Sequence, residues 1–176
     1  TPFPYTTLVI DAPTTTPVIL TAIAEDSGAR TITQAELLAN AADTEGDGLT
    51  ATALAISSGS GTLVDNGDGT WDYTPAANDD TGVSFTYTIT DGTDTVAGSA
   101  TLDITPVNDA PTTTPVVIAA IAQDSATRTI TQAELLANAS DVESDGLTAT
   151  SLAISAGSGT LKRSAIIVRL SPSLTT

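Results

Sequence analysis

Cysteine, methionine and histidine are absent from this chain of 176 residues, and aromatic residues make up only 3% of it. Without cysteine there is no disulfide framework, no thiolate nucleophile and no thiol redox chemistry. Without histidine the commonest general base is missing. Positive charge is scarce as well: five Lys and Arg stand against 21 Asp and Glu, a net charge of -16. That balance repels nucleic acid and anionic membrane surfaces and attracts cations, so neither is expected as a partner. It also suits a chain that simply has to stay soluble. No apolar run reaches the ~18 residues of a membrane span, so no membrane insertion is expected. Thr1 is not followed by the basic and then apolar pattern of a signal peptide. Sugar-cleaving clefts pair carboxylates with aromatic platforms, but Trp71, Tyr73 and Tyr87 stand in strand patterns as core residues. No catalytic residue is expected.

What the chain has is repetition. Residues 110–161 restate residues 12–63 at an offset of 98, with identity at 41 of 52 positions. One folding unit is used twice, and the stretch Thr105-Pro106-Val107-Asn108-Asp109-Ala110-Pro111 is the boundary. Its two prolines hold the linker extended. Residues 1–11 form a leader with the apolar run Leu8-Val9-Ile10, residues 12–109 a complete unit, and residues 110–161 a partial one. At residue 162 the repeat breaks, and the tail 162–176 holds three of the five basic residues.

Threonine, alanine, valine, leucine and isoleucine must pack the core, and branched residues suit a pleated surface. Pro17 to Ile23 and Leu49 to Ser57 read as strands, and Asn66-Gly67-Asp68-Gly69 as a tight turn into Thr70 to Thr74. Val83, Phe85, Tyr87 and Ile89 alternate with polar residues, the period of a half-buried strand. Val96 to Ile104 closes the unit. About seven strands per unit predict an all-β fold of tandem antiparallel β-sandwiches, the second incomplete. Thr33-Gln34-Ala35-Glu36 is a capping box, which predicts one short helix of two turns per unit.

The residues with chemistry to offer are carboxylates. Asp43, Glu45 and Asp47 alternate in a glycine-bearing loop and recur as Asp141, Glu143 and Asp145. Three carboxylates so spaced can turn onto one hard cation while backbone carbonyls complete the shell, and an irregular loop suits Ca²⁺ better than Mg²⁺. The spacing is not that of an EF-hand. The same acids also suit a solvated turn after a helix. Asn108 and Asp109, with Asp26 and Asp124 near strand ends, form a second group of candidate ligands, or turn caps. Asp65, Asp68, Asp91 and Asp94 sit at glycine-bearing hairpins where Asp serves the backbone.

The order of these motifs carries a resemblance. Ala-Glu-Leu-Leu-Ala-Asn-Ala, Asp-x-Glu-x-Asp-Gly-Leu, Asn-Gly-Asp-Gly-Thr-Trp-Asp-Tyr-Thr-Pro, Phe-Thr-Tyr-Thr-Ile-Thr-Asp-Gly and Pro-Val-Asn-Asp-Ala-Pro follow one another. The chain resembles the tandem cadherin-like, Ig-like repeats of large bacterial adhesins of the RTX, type I secreted kind, over residues 12–161. The resemblance implies a sandwich, Ca²⁺ at the inter-repeat joints and a spacer role at a bacterial cell surface or in a secreted protein. By that likeness Asn108 and Asp109 are linker ligands, and Asp141, Glu143 and Asp145 are ligands from the following unit. Expected partners are neighbouring repeats of the same or identical chains, with host or surface glycans or proteins reached through other domains. Two departures stand out: the front lacks the Pro-Val-Asn part of the linker, and the second repeat lacks its closing strands. An unfinished sandwich also suits a different role, a filament subunit joined by strand exchange. Leu8, Val9 and Ile10, and Ile166, Ile167 and Val168, are its candidate donor residues.

Overall fold

The computed structural model describes residues 10–157 and 159–161. The chain divides between Asn108 and Asp109 into two units. The first contains β1 (Val18–Ala24), β2 (Arg30–Thr33), α1 (Gln34–Leu37), β3 (Thr50–Ser58), β4 (Thr62–Asp65), β5 (Thr70–Thr74), β6 (Val83–Thr90) and β7 (Thr95–Thr105). The second contains β8 (Thr112–Thr113), α2 (Gln132–Leu135) and β9 (Ala139–Ser140).

In the first unit a four-stranded sheet, ordered β1-β7-β6-β3, faces a three-stranded sheet, β2-β5-β4. Alternation along the strands places the core. Val83, Phe85, Tyr87 and Ile89 of β6 are buried, as are Ala100, Leu102 and Ile104 of β7 and Trp71 and Tyr73 of β5. All four described aromatics, Trp71, Tyr73, Phe85 and Tyr87, are there. The rings of Tyr73 and Phe85 meet edge to face with centroids 5.4 Å apart, a favoured aromatic geometry. Both buried phenols find carbonyls: Tyr73 donates to Ser60 O at 2.6 Å and Tyr87 to Leu37 O at 2.7 Å. Gly98 lies opposite Tyr87 in the β6–β7 register. A Cβ there would run into the Tyr87 ring, so glycine lets the phenol lie flat across β7.

All the ladders of this unit pass through its second half. β1 pairs with β7, β2 and β4 with β5, and β3 with β6. No two strands from residues 12–63 pair with each other among the described residues.

Three readings of the sequence are corrected and one strand, β2, is added. The β1–β7 pair is parallel, so the sandwich is not wholly antiparallel. The capping box is present, with Thr33 as N-cap, but α1 makes one turn rather than two. Leu38 leaves helical geometry and donates to Gln34 O at 2.9 Å. β2 was concealed because Thr33 belongs both to its end and to the helix cap, and four residues are too few for a periodic signal. The second strand runs Thr50–Ser58, with Leu49 ahead of it.

In the second unit no described residue is buried. Among its described residues only the two-residue pair β8–β9 forms a ladder. Residues 116–122 and 148–156, counterparts of β1 and β3, are not in strands. Of the leader, Ile10 is exposed and outside any strand. Leu8, Val9, Ile166, Ile167 and Val168 lie outside the described residues.

Candidate functional site: the acidic loops and the linker

The helix that follows the capping box ends within one turn, and the chain then bends through the acidic loop. In the first unit the Asp47 N–H donates to Asp43 Oδ1 at 3.0 Å, closing the loop on itself. The Asp11 N–H donates to Glu45 Oε2 at 3.2 Å, docking the start of the unit onto the loop. In the second unit the Asp145 N–H donates to Asp141 Oδ1 at 2.9 Å and the Asp109 N–H to Glu143 Oε2 at 3.2 Å. The motif is therefore two-part. An Asp-Ala-Pro entry, Asp11 or Asp109, is tied through its backbone to the central Glu of the loop 34 residues later.

This arrangement brings Asp109, Asp141, Glu143 and Asp145 into one neighbourhood, as it does Asp11, Asp43, Glu45 and Asp47. Asp43 Oδ2 and Glu143 Oε1 are buried with no hydrogen-bond partner. Buried carboxylate oxygens left without a donor are costly, and a cation would offset that cost. Among the described residues, however, no three acidic side chains are gathered around a common point. The donor chemistry fits a hard cation, and the full convergence of ligands is not drawn in this structure.

Asp26 stands apart from that loop. It adopts φ 55° at the turn after β1 and accepts the Asn78 N–H at 3.1 Å on Oδ1. Asp124, its counterpart, has φ 60°. Asn and Asp tolerate this left-handed region better than other non-glycine residues, so both positions have a backbone reason for Asp. Asn108 ends the first unit and Asp109 begins the second.

Sequence reasoning passed over Glu25. It is 4% exposed, and its Oε1 accepts the Val107 N–H of the linker at 2.7 Å. Its own N–H donates to Thr105 O at 2.9 Å. A buried carboxylate is thus fastened to the stretch that leads out of the first unit. The available signal was the repeat itself, which puts Gln123 at this place in the second unit.

The remaining acids serve the backbone. Asp65 accepts the Gly67 N–H, Asp68 the Thr70 N–H and hydroxyl, and Asp91 the N–H groups of Thr93 and Asp94. Hydrogen bonds from the Thr70 hydroxyl and N–H hold the Asp68 carboxyl below the ordinary Asp value. The Asp94 and Thr93 amides do the same for Asp91. Asp79 accepts the Ser60 hydroxyl and the Thr81 N–H, and these lower its pKa in that order of effect, with the Thr81 hydroxyl between them. Asn138 Nδ2 donates to Pro115 O at 2.9 Å, as Asn40 does to Pro17 O at 2.8 Å, so that side chain is a local tie.

The cadherin-like domain family matches residues 9–105 and again residues 107–166. No curated protein matches the chain. Among solved structures, the endo-fucoidan hydrolase MfFcnA4 from glycoside hydrolase family 107 is similar at 27% identity and a TM-score of 0.36, over 55% of this chain and 14% of that one. The endo-fucoidan hydrolase MfFcnA9 of the same family is similar at 26% identity and a TM-score of 0.34, over 52% of this chain and 15% of that one. The chain therefore spans a small fraction of the length of those enzymes. The two family matches, one on each side of the linker, identify the chain as a member of the cadherin-like domain family, carrying the domain twice in tandem.

Proposed function

We propose that the chain is a non-enzymatic, Ca²⁺-binding spacer from a bacterial cell-surface or secreted adhesin, stiffened at its linker by bound ions. The observation that carries this reading is the duplicated tie between an Asp-Ala-Pro entry and an acidic loop, with buried carboxylate oxygens left over at Asp43 and Glu143. Asp109, Asp141, Glu143 and Asp145 would hold an ion at the start of the second unit, and Asp43, Glu45 and Asp47 would do so in the first. Asn108, the last residue of the first unit, would contribute oxygen from the linker. Bound Ca²⁺ supplies positive charge that relieves repulsion among these carboxylates and draws them together. The chain's residues then supply the mechanical result: two prolines keep the linker extended, and ligands on either side of it limit bending. A large net negative charge lets such a molecule wait for cations outside the cell. Surface location and adhesive context rest on the resemblance to secreted repeats.

The test is a thermal melt with Ca²⁺, with Mg²⁺ and with chelator at fixed protein concentration. A ligand bound only by the folded state stabilises it by an amount set by its concentration relative to Kd, about 2.7 kcal/mol at a hundredfold excess, and so raises the midpoint. A reversible rise specific to Ca²⁺ is expected, reduced by Asp145→Ala. Equal midpoints in all three conditions would leave the acidic loops as solvated turns and remove the spacer's stiffening mechanism.

A further inference from the structure

Asn66 and Gly67 lie in the turn between β4 and β5, and both are exposed. The chain has five asparagines, and Asn66 is the one followed by glycine, the others standing before Ala or Asp. That pair carries chemistry of its own. Glycine has no side chain to screen its backbone nitrogen, which can therefore attack the side-chain amide carbon of the asparagine before it. Crowding does not prevent the attack here: Gly67 has φ 76°, and a Cβ built on it would meet nothing within 4 Å. Hydrogen bonds do prevent it. The Gly67 N–H, which must lose its proton to attack, donates to Asp65 Oδ1 at 2.8 Å. A carboxylate acceptor makes such a bond strong and holds the proton in place. Asn66 Nδ2 donates to Thr70 Oγ1 at 3.0 Å, across the turn. That hydroxyl is itself fixed, because it donates to Asp68 Oδ1 at 2.6 Å. The Asn66 N–H donates to Thr70 O at 3.0 Å. Nucleophile and target are both engaged while the hairpin is closed.

We propose that Asn66 is a self-modification site locked by the closed β4–β5 hairpin, so that its conversion to aspartate or isoaspartate records opening of that hairpin. Once the turn opens, hydroxide takes the Gly67 N–H proton and the nitrogen bonds to Asn66 Cγ. The Cγ–Nδ2 bond breaks, and the amide group leaves as ammonia after taking a proton from water, which restores the hydroxide. The cyclic imide that remains is opened by water at either carbonyl, giving aspartate from one and isoaspartate from the other. Water is the one reagent consumed. Both products put a carboxylate where the Nδ2 donor stood, beside Asp65 and Asp68, so the tie to Thr70 cannot re-form. Isoaspartate also lengthens the main chain by a methylene next to the paired Asp65 and Trp71. Each opening that ends in reaction is therefore permanent. The corresponding positions of the second repeat are Ser164 and Ala165, so the record is written in the first unit alone.

The test incubates the full chain at mildly alkaline pH, with and without urea, and follows the mass of each asparagine by peptide mass spectrometry. Asn66 should convert ahead of the other asparagines in urea. In the folded chain it should convert at least about tenfold more slowly, because the closing bonds must break before the attack. Thr70→Val removes the acceptor of Asn66 Nδ2, and Asp65→Ala removes that of the Gly67 N–H. Each should speed conversion in buffer by about threefold or more, the worth of one hydrogen bond. In urea both should convert at the rate of the unsubstituted chain, which separates loss of the lock from any change in intrinsic reactivity. The buried Trp71 reports by fluorescence that each variant is still folded in buffer. Equal rates with and without urea, conversion of another asparagine ahead of Asn66, or folded variants that both keep the slow rate would overturn the proposal.

Discussion

The two units compare one sequence in two circumstances, with its closing strands and without them. The first 52 residues of each repeat keep the same side-chain ties. Gln34 holds Ala51 by both its backbone groups, at 2.8 Å and 2.6 Å, and Gln132 holds Ala149 by both at 2.8 Å. Arg30 pairs with Glu36, and Arg128 with Glu134. Both capping boxes are complete. The ladders and buried core are not repeated. Caps, turns and short-range ties follow from nearby residues, whereas strands need a partner across the sheet. In the first unit every ladder partner of β1, β2, β3 and β4 comes from β5, β6 or β7.

The sharpest way to break the comparison is to damage the closing strands. Phe85→Ala removes a fully buried ring that meets Tyr73 edge to face. It should destabilise the first unit by about 3–5 kcal/mol. Trp71, the chain's single tryptophan and 3% exposed, reports that unfolding by fluorescence in urea. Amide exchange at Leu136 and Ala149 should not change, because the second unit has no such ring to lose. A matching change there would mean that the two units unfold together.

The same division governs what was legible in the sequence. The β6 strand was readable because Val83, Phe85, Tyr87 and Ile89 alternate over eight residues, and the capping box because Thr33 and Glu36 stand three apart. β2 was not, since its four residues acquire strand geometry from Trp71 to Tyr73 across the sheet. The parallel β1–β7 pair was equally hidden, because strand direction is set by how sheets close and not by local pattern. At the candidate site the three-acid loops were legible from their spacing. The tie from Asp11 or Asp109 to the loop spans 34 residues, and the hydrogen bond from the Val107 N–H to Glu25 spans 82, so neither has a local signature.

A smaller effect sharpens the contrast at the conserved glutamine. Gln34→Ala would leave the N–H and carbonyl of Ala51, a residue 1% exposed, without these partners. Stranding buried groups costs about 1–3 kcal/mol, which a urea titration of the first unit would register. Gln132→Ala removes the same two bonds from Ala149, but that residue is only partly buried and water can replace them. The cost there should fall within about 0.5 kcal/mol, the range of ordinary surface substitutions. Equal costs in the two units would show that closing strands add nothing to the tie.

The smallest effect tests how local the capping boxes are. For Glu36, burial works to raise the pKa, but the Thr33 N–H and hydroxyl and the Arg30 charge outweigh it and hold the carboxyl below its ordinary value. For Glu134, the Thr131 N–H and hydroxyl lead, burial opposes them, and the Arg128 charge adds to the lowering. Both folded values are therefore depressed. In the acid range the unfolded chain binds the extra proton first, so the stabilisation is complete above the ordinary Glu value and is lost as pH falls through the folded one. Carbon NMR of the two carboxyl groups should place both midpoints below that ordinary value. Salt should raise the Glu134 midpoint only slightly, because its leading cause is a hydrogen bond rather than a distant charge. A depressed midpoint for Glu36 alone would mean that the cap needs the finished sandwich around it. A depressed midpoint for both would mean that residues 128–134 organise their own helix start, ahead of any strand that later closes over them.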